Sequence, residues 1–246
     1  KLIAAMDRLE TGNIDDFSNF ISVFPWGDDN AKKANTAEMD EVIKKTSTVI
    51  QDRYKSKWVD DSYILMGKAY FFKGDYYAAA ETFSYMLARF KKTPIADDAN
   101  VWSFMCYVML KRYDDAGVIY SEIKNVTSLD KTVNEYKHAA AAETFIKQNK
   151  FPLAKEELKL ALQYSSRKVF KLRYHYLLAQ LYMQSDSLEK ARYHLGKLLK
   201  MNPKYDMDFN ARIFLARTYK NSDKDGIKKA NRYLKKMLKD DKNTSN

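Results

Sequence analysis

Three histidines, a set of aspartate pairs and one cysteine are the side chains in these 246 residues whose chemistry could go beyond packing. His138 and His175 stand at the same place in two successive stretches of similar sequence, and His194 follows. Two imidazoles in register do not make a metal centre. A structural zinc takes about four ligands and a catalytic one about three, and no Cys-rich or His-x-x-x-His cluster supplies the rest. The pairs Asp28-Asp29, Asp60-Asp61, Asp97-Asp98 and Asp114-Asp115 could suggest acid–base work. Sequence neighbours on a helix point to different sides, however, so capping of free amides is the better use of them. Cys106 lies in the apolar run WSFMCYVML and packs as a small hydrophobe; a lone cysteine excludes an internal disulfide and any multi-cysteine site. No phosphate-cradling glycine loop and no nucleophile motif is present. The expectation is a chain with no catalytic residue, no metal and no cofactor.

The elements that position these residues are helices. Four prolines and seven glycines are too few for an all-β chain, whereas Lys, Glu, Ala, Leu and Met favour helix. Laid on itself, the sequence repeats from Asp60, Asp97, Glu135, Leu172 and Phe209, at offsets of 37, 38, 37 and 37. A period of that size with two helices per unit marks a helical solenoid, in which each hairpin buries its face against its neighbours.

DDSYILMGKAYFFKGDYYAAAETFSYM, with Tyr63, Met66, Gly67, Tyr70, Gly74, Tyr76, Ala79 and Phe83, resembles the tetratricopeptide repeat. The fourth segment repeats the scheme with Leu178, Ala179, Tyr182, Leu188, Ala191, Leu195 and Leu198, stopped by Pro203. The third carries Ala142, Phe145, Ala154 and Leu158; the second has Phe104 where a small residue belongs, and is expected to pack less regularly. The resemblance implies an all-α, right-handed superhelical solenoid of tetratricopeptide helix pairs. Its organisation would be a degenerate N-terminal region over 1–58, five pairs over 59–241 and a frayed tail over 242–246. Within 1–58 the pattern predicts a helix, a turn at Gly12-Asn13, a helix from Asp15 to Phe24, the loop FPWGDD and a long amphipathic helix. Trp26 either plugs the end of the solenoid or meets a partner.

Charge divides the chain. Residues 1–123 carry a net −3 and residues 124–246 a net +14. The basic half can attract acidic protein, lipid headgroups, glycans or nucleic acid, or can simply keep a solenoid soluble. No run approaches the ~18–20 apolar residues that a spanning helix needs. Because the chain opens at Lys1 on what reads as a helix already under way, any export or lipidation signal is expected upstream of it.

In a tetratricopeptide solenoid the first helix of each pair lines the concave surface, so inward positions follow from register. Ile64, Lys68, Phe71, Phe72, Val101, Met105, Val108 and Met109 come from the first two units; Tyr136, Glu143, Lys147, Tyr176, Gln180, Gln184, Arg217 and Lys220 come from the later ones. The groove starts apolar and turns polar and basic. It either holds a partner's amphipathic or extended segment, or is covered by the N-terminal region. The Lys and Asn clamp that grips a terminal carboxylate in some such domains is missing.

Two segments, FPWGDD and KWVDDSYILMGKAYFFKGDYYAAAETFSYM, resemble one family in particular: the PorW/SprE-type tetratricopeptide lipoproteins of the Bacteroidetes type IX secretion and gliding-motility machinery. The likeness runs over about residues 14–94. It implies a scaffold on the periplasmic side of the outer membrane, touching the membrane only through a lipid anchor outside this chain. Its partners would be the translocon and the surrounding ring components, with no small-molecule substrate. A generic adaptor, or a basic helical-repeat binder of nucleic acid, are the alternatives.

Overall fold

The computed structural model describes every residue except 92, 94, 220–224, 229, 230, 233, 234 and 236–246. The second helix expected for the fifth pair and the tail 242–246 therefore fall largely or wholly outside the described residues. Eleven helices are delimited among the described residues, with no strand. They fall into two compact units, the first comprising residues 1–15 and 22–164, the second residues 16–21 and 165–246.

Unit 1 contains α1 (Leu2–Gly12), α2 (Asp29–Asp52), α3 (Val59–Lys73), α4 (Tyr76–Arg89), α5 (Ala96–Met109), α6 (Tyr113–Ile123), α7 (Lys131–Lys147) and α8 (Phe151–Tyr164). α3/α4, α5/α6 and α7/α8 are antiparallel hairpins, and α3, α5 and α7 pack in sequence order as the first helix of each. Unit 2 contains α9 (Lys168–Gln184) paired with α10 (Leu188–Lys200), and α11 (Tyr205–Arg217) against α10.

The repeat is visible in the backbone itself. Gly74, Lys111, Asn149 and Asp186, spaced by 37, 38 and 37, all have left-handed φ and close the first helix of their pairs. The following amide reaches back five residues each time, Asp75 to Tyr70, Arg112 to Tyr107, Lys150 to Phe145 and Ser187 to Tyr182, at 2.8–3.0 Å. This bond satisfies a carbonyl that the helix end leaves free and turns the chain into the second helix. Only the first site uses glycine. The others bear the small cost of a side chain at positive φ because the hairpin contacts over-determine the turn.

The small residue of each second helix, Ala79, Ala116, Ala154 and Ala191, is fully buried, letting the paired helices close up. Gly67 does the same from the first helix: a Cβ there would lie 2.5 Å from the Phe83 ring. Gly67→Ala is expected to cost about 1–2 kcal/mol through overpacking, read as a lowered urea midpoint. Phe104, at the corresponding place in α5, is fully buried and stacks on Tyr120 with ring centroids 5.6 Å apart.

Four of the aspartate pairs lie at helix starts. Asp28 caps α2 by accepting the Ala31 amide at 2.8 Å, while Asp29, Asp60-Asp61, Asp97-Asp98 and Asp114-Asp115 occupy first turns. Fully buried Asn35 joins three elements: it donates to the carbonyls of Ala5 and Phe72, each at 3.1 Å, and accepts from Arg8 Nε at 2.7 Å.

The helix expected over Asp15–Phe24 does not form. Residues 13–28 run without regular structure. Asp16 accepts the Ser18 amide at 2.9 Å and the Asn19 side chain at 2.9 Å, a local turn that competes with helix. At the other end Pro25 disfavours helical backbone at Phe24.

Candidate functional site

The concave faces of α3, α5 and α7 in unit 1 are occupied by the chain's own residues 22–26. Val23, Phe24 and Trp26 are almost wholly buried there. Trp26 stacks on Phe24 with centroids 4.7 Å apart and meets the edges or faces of Phe71, Phe72 and Tyr136 at 5.7–5.8 Å. Trp102 completes the cluster against Phe71, Phe72 and Tyr136 at 5.3–5.8 Å. Edge-to-face geometry of this kind adds to the burial of large rings. Trp26 thus neither caps an end nor stands exposed; it sits within the aromatic core of the inner face.

The polypeptide backbone is held as well. Glu143, on α7, accepts the Val23 amide at 2.7 Å and is itself buried, with Lys147 Nζ 3.7 Å away. In unit 2 the residue one repeat later, Gln180 on α9, donates to the Asn19 carbonyl at 2.7 Å and accepts the Ile21 amide at 3.4 Å. Phe17 meets Tyr176 edge-on at 5.2 Å in the same unit. One inward register position therefore reads main chain in both units: a carboxyl acceptor in the first, an amide able to donate and accept in the second.

Each groove residue foreseen from register can now be placed. Ile64, Phe71, Phe72, Val101, Met105, Val108 and Tyr136 are buried, as is Tyr176 in unit 2. Met109 is half-buried and borders a cavity of about 350 Å³ that opens beside the inserted segment, with Ser22, Phe24, Tyr76, Tyr113 and Glu143 around it. Lys68 is half-buried, ion-paired with Asp98 at 2.9 Å and lying over the Trp102 ring. Only Lys147, Gln184 and Arg217 remain exposed, and Lys220 lies outside the described residues. The residues that register alone missed are the occupants, Phe17, Val23, Phe24 and Trp26. Their signal was the Ile21-Ser22-Val23 alternation running into Phe24-Pro25, a mark of extended chain.

The titratable residues pair within hairpins. His138 Nδ1 lies 2.7 Å from Glu157, whose other oxygen accepts the Tyr120 hydroxyl at 2.6 Å. Burial, then the Glu157 hydrogen bond, push the Tyr120 hydroxyl far above its ordinary pKa, so it is no base at neutral pH. His175 and His194, again 19 residues apart, bring their Nδ1 atoms to 2.9 Å. Cys106 is buried and its thiol is pushed up by desolvation, which keeps it protonated and unreactive. No group of three or more potential metal ligands comes together among the described residues.

His175 makes stability depend on pH. Burial, with Lys197 nearby, lowers its pKa from 6.5 to about 4. The unfolded chain therefore binds the proton first, and this contribution is whole above pH 6.5 and lost progressively as pH falls toward 4. The urea midpoint is expected to drop between pH 7 and pH 5, and to drop less in His175→Gln.

Stacked antiparallel pairs with this turn geometry define a tetratricopeptide-repeat fold. No family model matches the chain, and none of the curated proteins does. Among solved structures it is similar to a tetratricopeptide repeat protein from Parabacteroides merdae, at TM-score 0.55 and 17% identity over 74% of this chain and 68% of that one. It is also similar to BtubC from P. vanneervenii, at TM-score 0.53 and 15% identity over 85% and 93% of the two chains. At these identities the likeness is one of fold.

Proposed function

We propose that the chain is a non-catalytic protein–protein interaction scaffold. The observation that carries this reading is that its inner helix faces already hold an extended polypeptide, the chain's own residues 17–26, by aromatic packing and by main-chain hydrogen bonds to Glu143 and Gln180. Such faces recognise protein in the way that grooves for extended peptides do. Catalytic work gains nothing from a protonated buried thiol, paired histidines and capping carboxylates.

The particular assembly we propose is the type IX secretion and gliding-motility machinery, with the chain at the periplasmic side of the outer membrane among translocon and ring components. The support is the likeness of FPWGDD and of residues 57–86 to the PorW/SprE-type lipoproteins. The test is affinity capture of the chain from detergent-solubilised envelope. Co-recovery of an outer-membrane translocon or ring component is expected; recovery of cytoplasmic proteins alone overturns the assignment and leaves a generic adaptor.

A further inference from the structure

One register position recurs on α3, α5, α7, α9 and α11: Lys68, Met105, Glu143, Gln180 and Arg217, spaced by 37, 38, 37 and 37. Four of these five residues are engaged. Lys68 is half-buried and pairs with Asp98 at 2.9 Å, and Met105 is packed at 1% exposure. Glu143 and Gln180 are buried and hold main chain of the inserted segment. Arg217 alone of the five is exposed, and it has no carboxylate partner among the described residues. Its place in this series singles it out, and not exposure as such.

Within unit 2 the surroundings of Arg217 continue those of the held segment. Phe17 meets Tyr176 edge-on at 5.2 Å, Tyr176 stacks on Phe214 at 6.0 Å with the planes 16° apart, and the Arg217 guanidinium lies over the Phe214 ring at 5.4 Å. An arginine seated on an aromatic ring keeps its N–H fork for a partner. The end of α11 is fixed: Arg192 donates to the Thr218 carbonyl at 2.7 Å, and the fully buried Thr218 donates its hydroxyl to the Leu215 carbonyl at 2.6 Å. A cation held this way loses little freedom on binding. Gln184, one turn beyond Gln180 on α9, is exposed as well and offers a donor and an acceptor. The helix dipole favours a cation in the last turn of α11. It is indifferent to the face on which that cation stands, so it leaves the inward register of Arg217 unexplained.

We infer, on the scaffold reading proposed above, that α11 and the last turn of α9 hold an extended, acidic segment of a partner protein, with a side-chain carboxylate on Arg217. The chemistry of the recurring position names the occupant. The Glu143 carboxyl takes a main-chain amide, and the Gln180 amide takes both an amide and a carbonyl. A guanidinium only donates, so whatever lies against it must offer oxygen. At the other cationic member of the series, Lys68, the chain supplies that oxygen itself as the Asp98 carboxylate. A carboxylate also makes the bidentate, charge-assisted pair that a guanidinium favours. The net +14 of residues 124–246 draws an acidic segment toward this half of the chain.

The test is fluorescence anisotropy of the full chain with labelled, C-terminally amidated peptides of about eight residues, alternating valine with glutamate, glutamine or lysine, at about 50 mM salt where screening is weak. The glutamate peptide is expected to bind, the glutamine peptide about tenfold more weakly, and the lysine peptide not at all. Arg217→Gln is expected to lose about tenfold or more for the glutamate peptide and little for the glutamine peptide. Arg217→Lys keeps the charge without the fork and is expected to fall between the two. Arg53→Gln, at an exposed arginine that follows α2, is expected to behave as the parent. Circular dichroism checks the fold; should Arg217→Gln unfold, Arg217→Lys decides. No binding of the glutamate peptide, equal binding of the glutamate and glutamine peptides, or unchanged affinity in a folded Arg217→Gln would each overturn the inference. So would oligouridine binding tighter than the glutamate peptide and lost in Arg217→Gln. Each of these leaves the scaffold reading standing, because capture of partners by the parent chain decides that separately.

Discussion

Trp26→Ala is expected to unfold about 3–5 kcal/mol more readily than the parent, the usual cost of emptying a large aromatic site in a core. The indole is fully buried and touches rings contributed by the inserted segment, α3 and α7. Removing it leaves a hole bounded by Phe71, Phe72 and Tyr136, all on helices pinned by their own hairpins, so the walls cannot collapse inward. A drop of roughly 10 °C in melting temperature is expected for a chain of this size. The result discriminates between two pictures of the groove. If residues 22–26 were a loosely held ligand, Trp26→Ala would free the segment at little cost to stability. If they belong to the core, the whole of unit 1 loses stability together. Urea melts followed by far-ultraviolet circular dichroism make the distinction, and a change below about 1 kcal/mol contradicts the core assignment.

Glu143→Ala is the second large effect, expected at about 3 kcal/mol. The carboxylate accepts the Val23 amide in a buried setting, and its loss strands that amide while depriving Lys147 of its nearby counter-charge. Glu143→Gln tests the physics more closely. An amide oxygen can still accept from Val23, without charge assistance, so about half of the loss should be recovered. Protection of the Val23 amide from hydrogen exchange is the specific readout: fast exchange in Glu143→Ala and intermediate exchange in Glu143→Gln. Unchanged protection in both would show that the segment is held by its aromatic side chains alone.

These two residues also show what can be foreseen from a repeat and what cannot. Period, turn residues and the small positions that let helices close were legible, because they are set by contacts between neighbours in sequence. Gly67, Ala79 and Ala154 do what tetratricopeptide register assigns them. The inward positions Phe71, Phe72 and Tyr136 were legible as well. Coverage by the N-terminal region was one of two alternatives that register left open, and which of its residues do the covering was not legible, since they come from 45 to 110 positions earlier in the chain than the rings they meet. Nothing local in FPWGDD distinguishes a solvent loop with turn chemistry from a buried inserted segment.

The same reasoning covers the histidines. Register placed His138 and His175 alike and offered them to one another. Each instead finds a partner 19 residues on, in the second helix of its own hairpin, Glu157 in one case and His194 in the other. Hairpin partners approach far more closely than equivalent positions of successive repeats, and a hydrogen bond needs about 3 Å.

By itself, then, the sequence determined a helical-repeat chain, its period and its inward-facing positions, because all of these are encoded in short-range pattern. Only the tertiary structure decided that the aromatic face of unit 1 is filled by Phe24 and Trp26, and that Glu143 and Gln180 hold main chain. The reason is physical. A stretch of extended chain has no internal hydrogen bonds to betray it, and its conformation is set by the surface it covers, which exists only once the repeats have stacked.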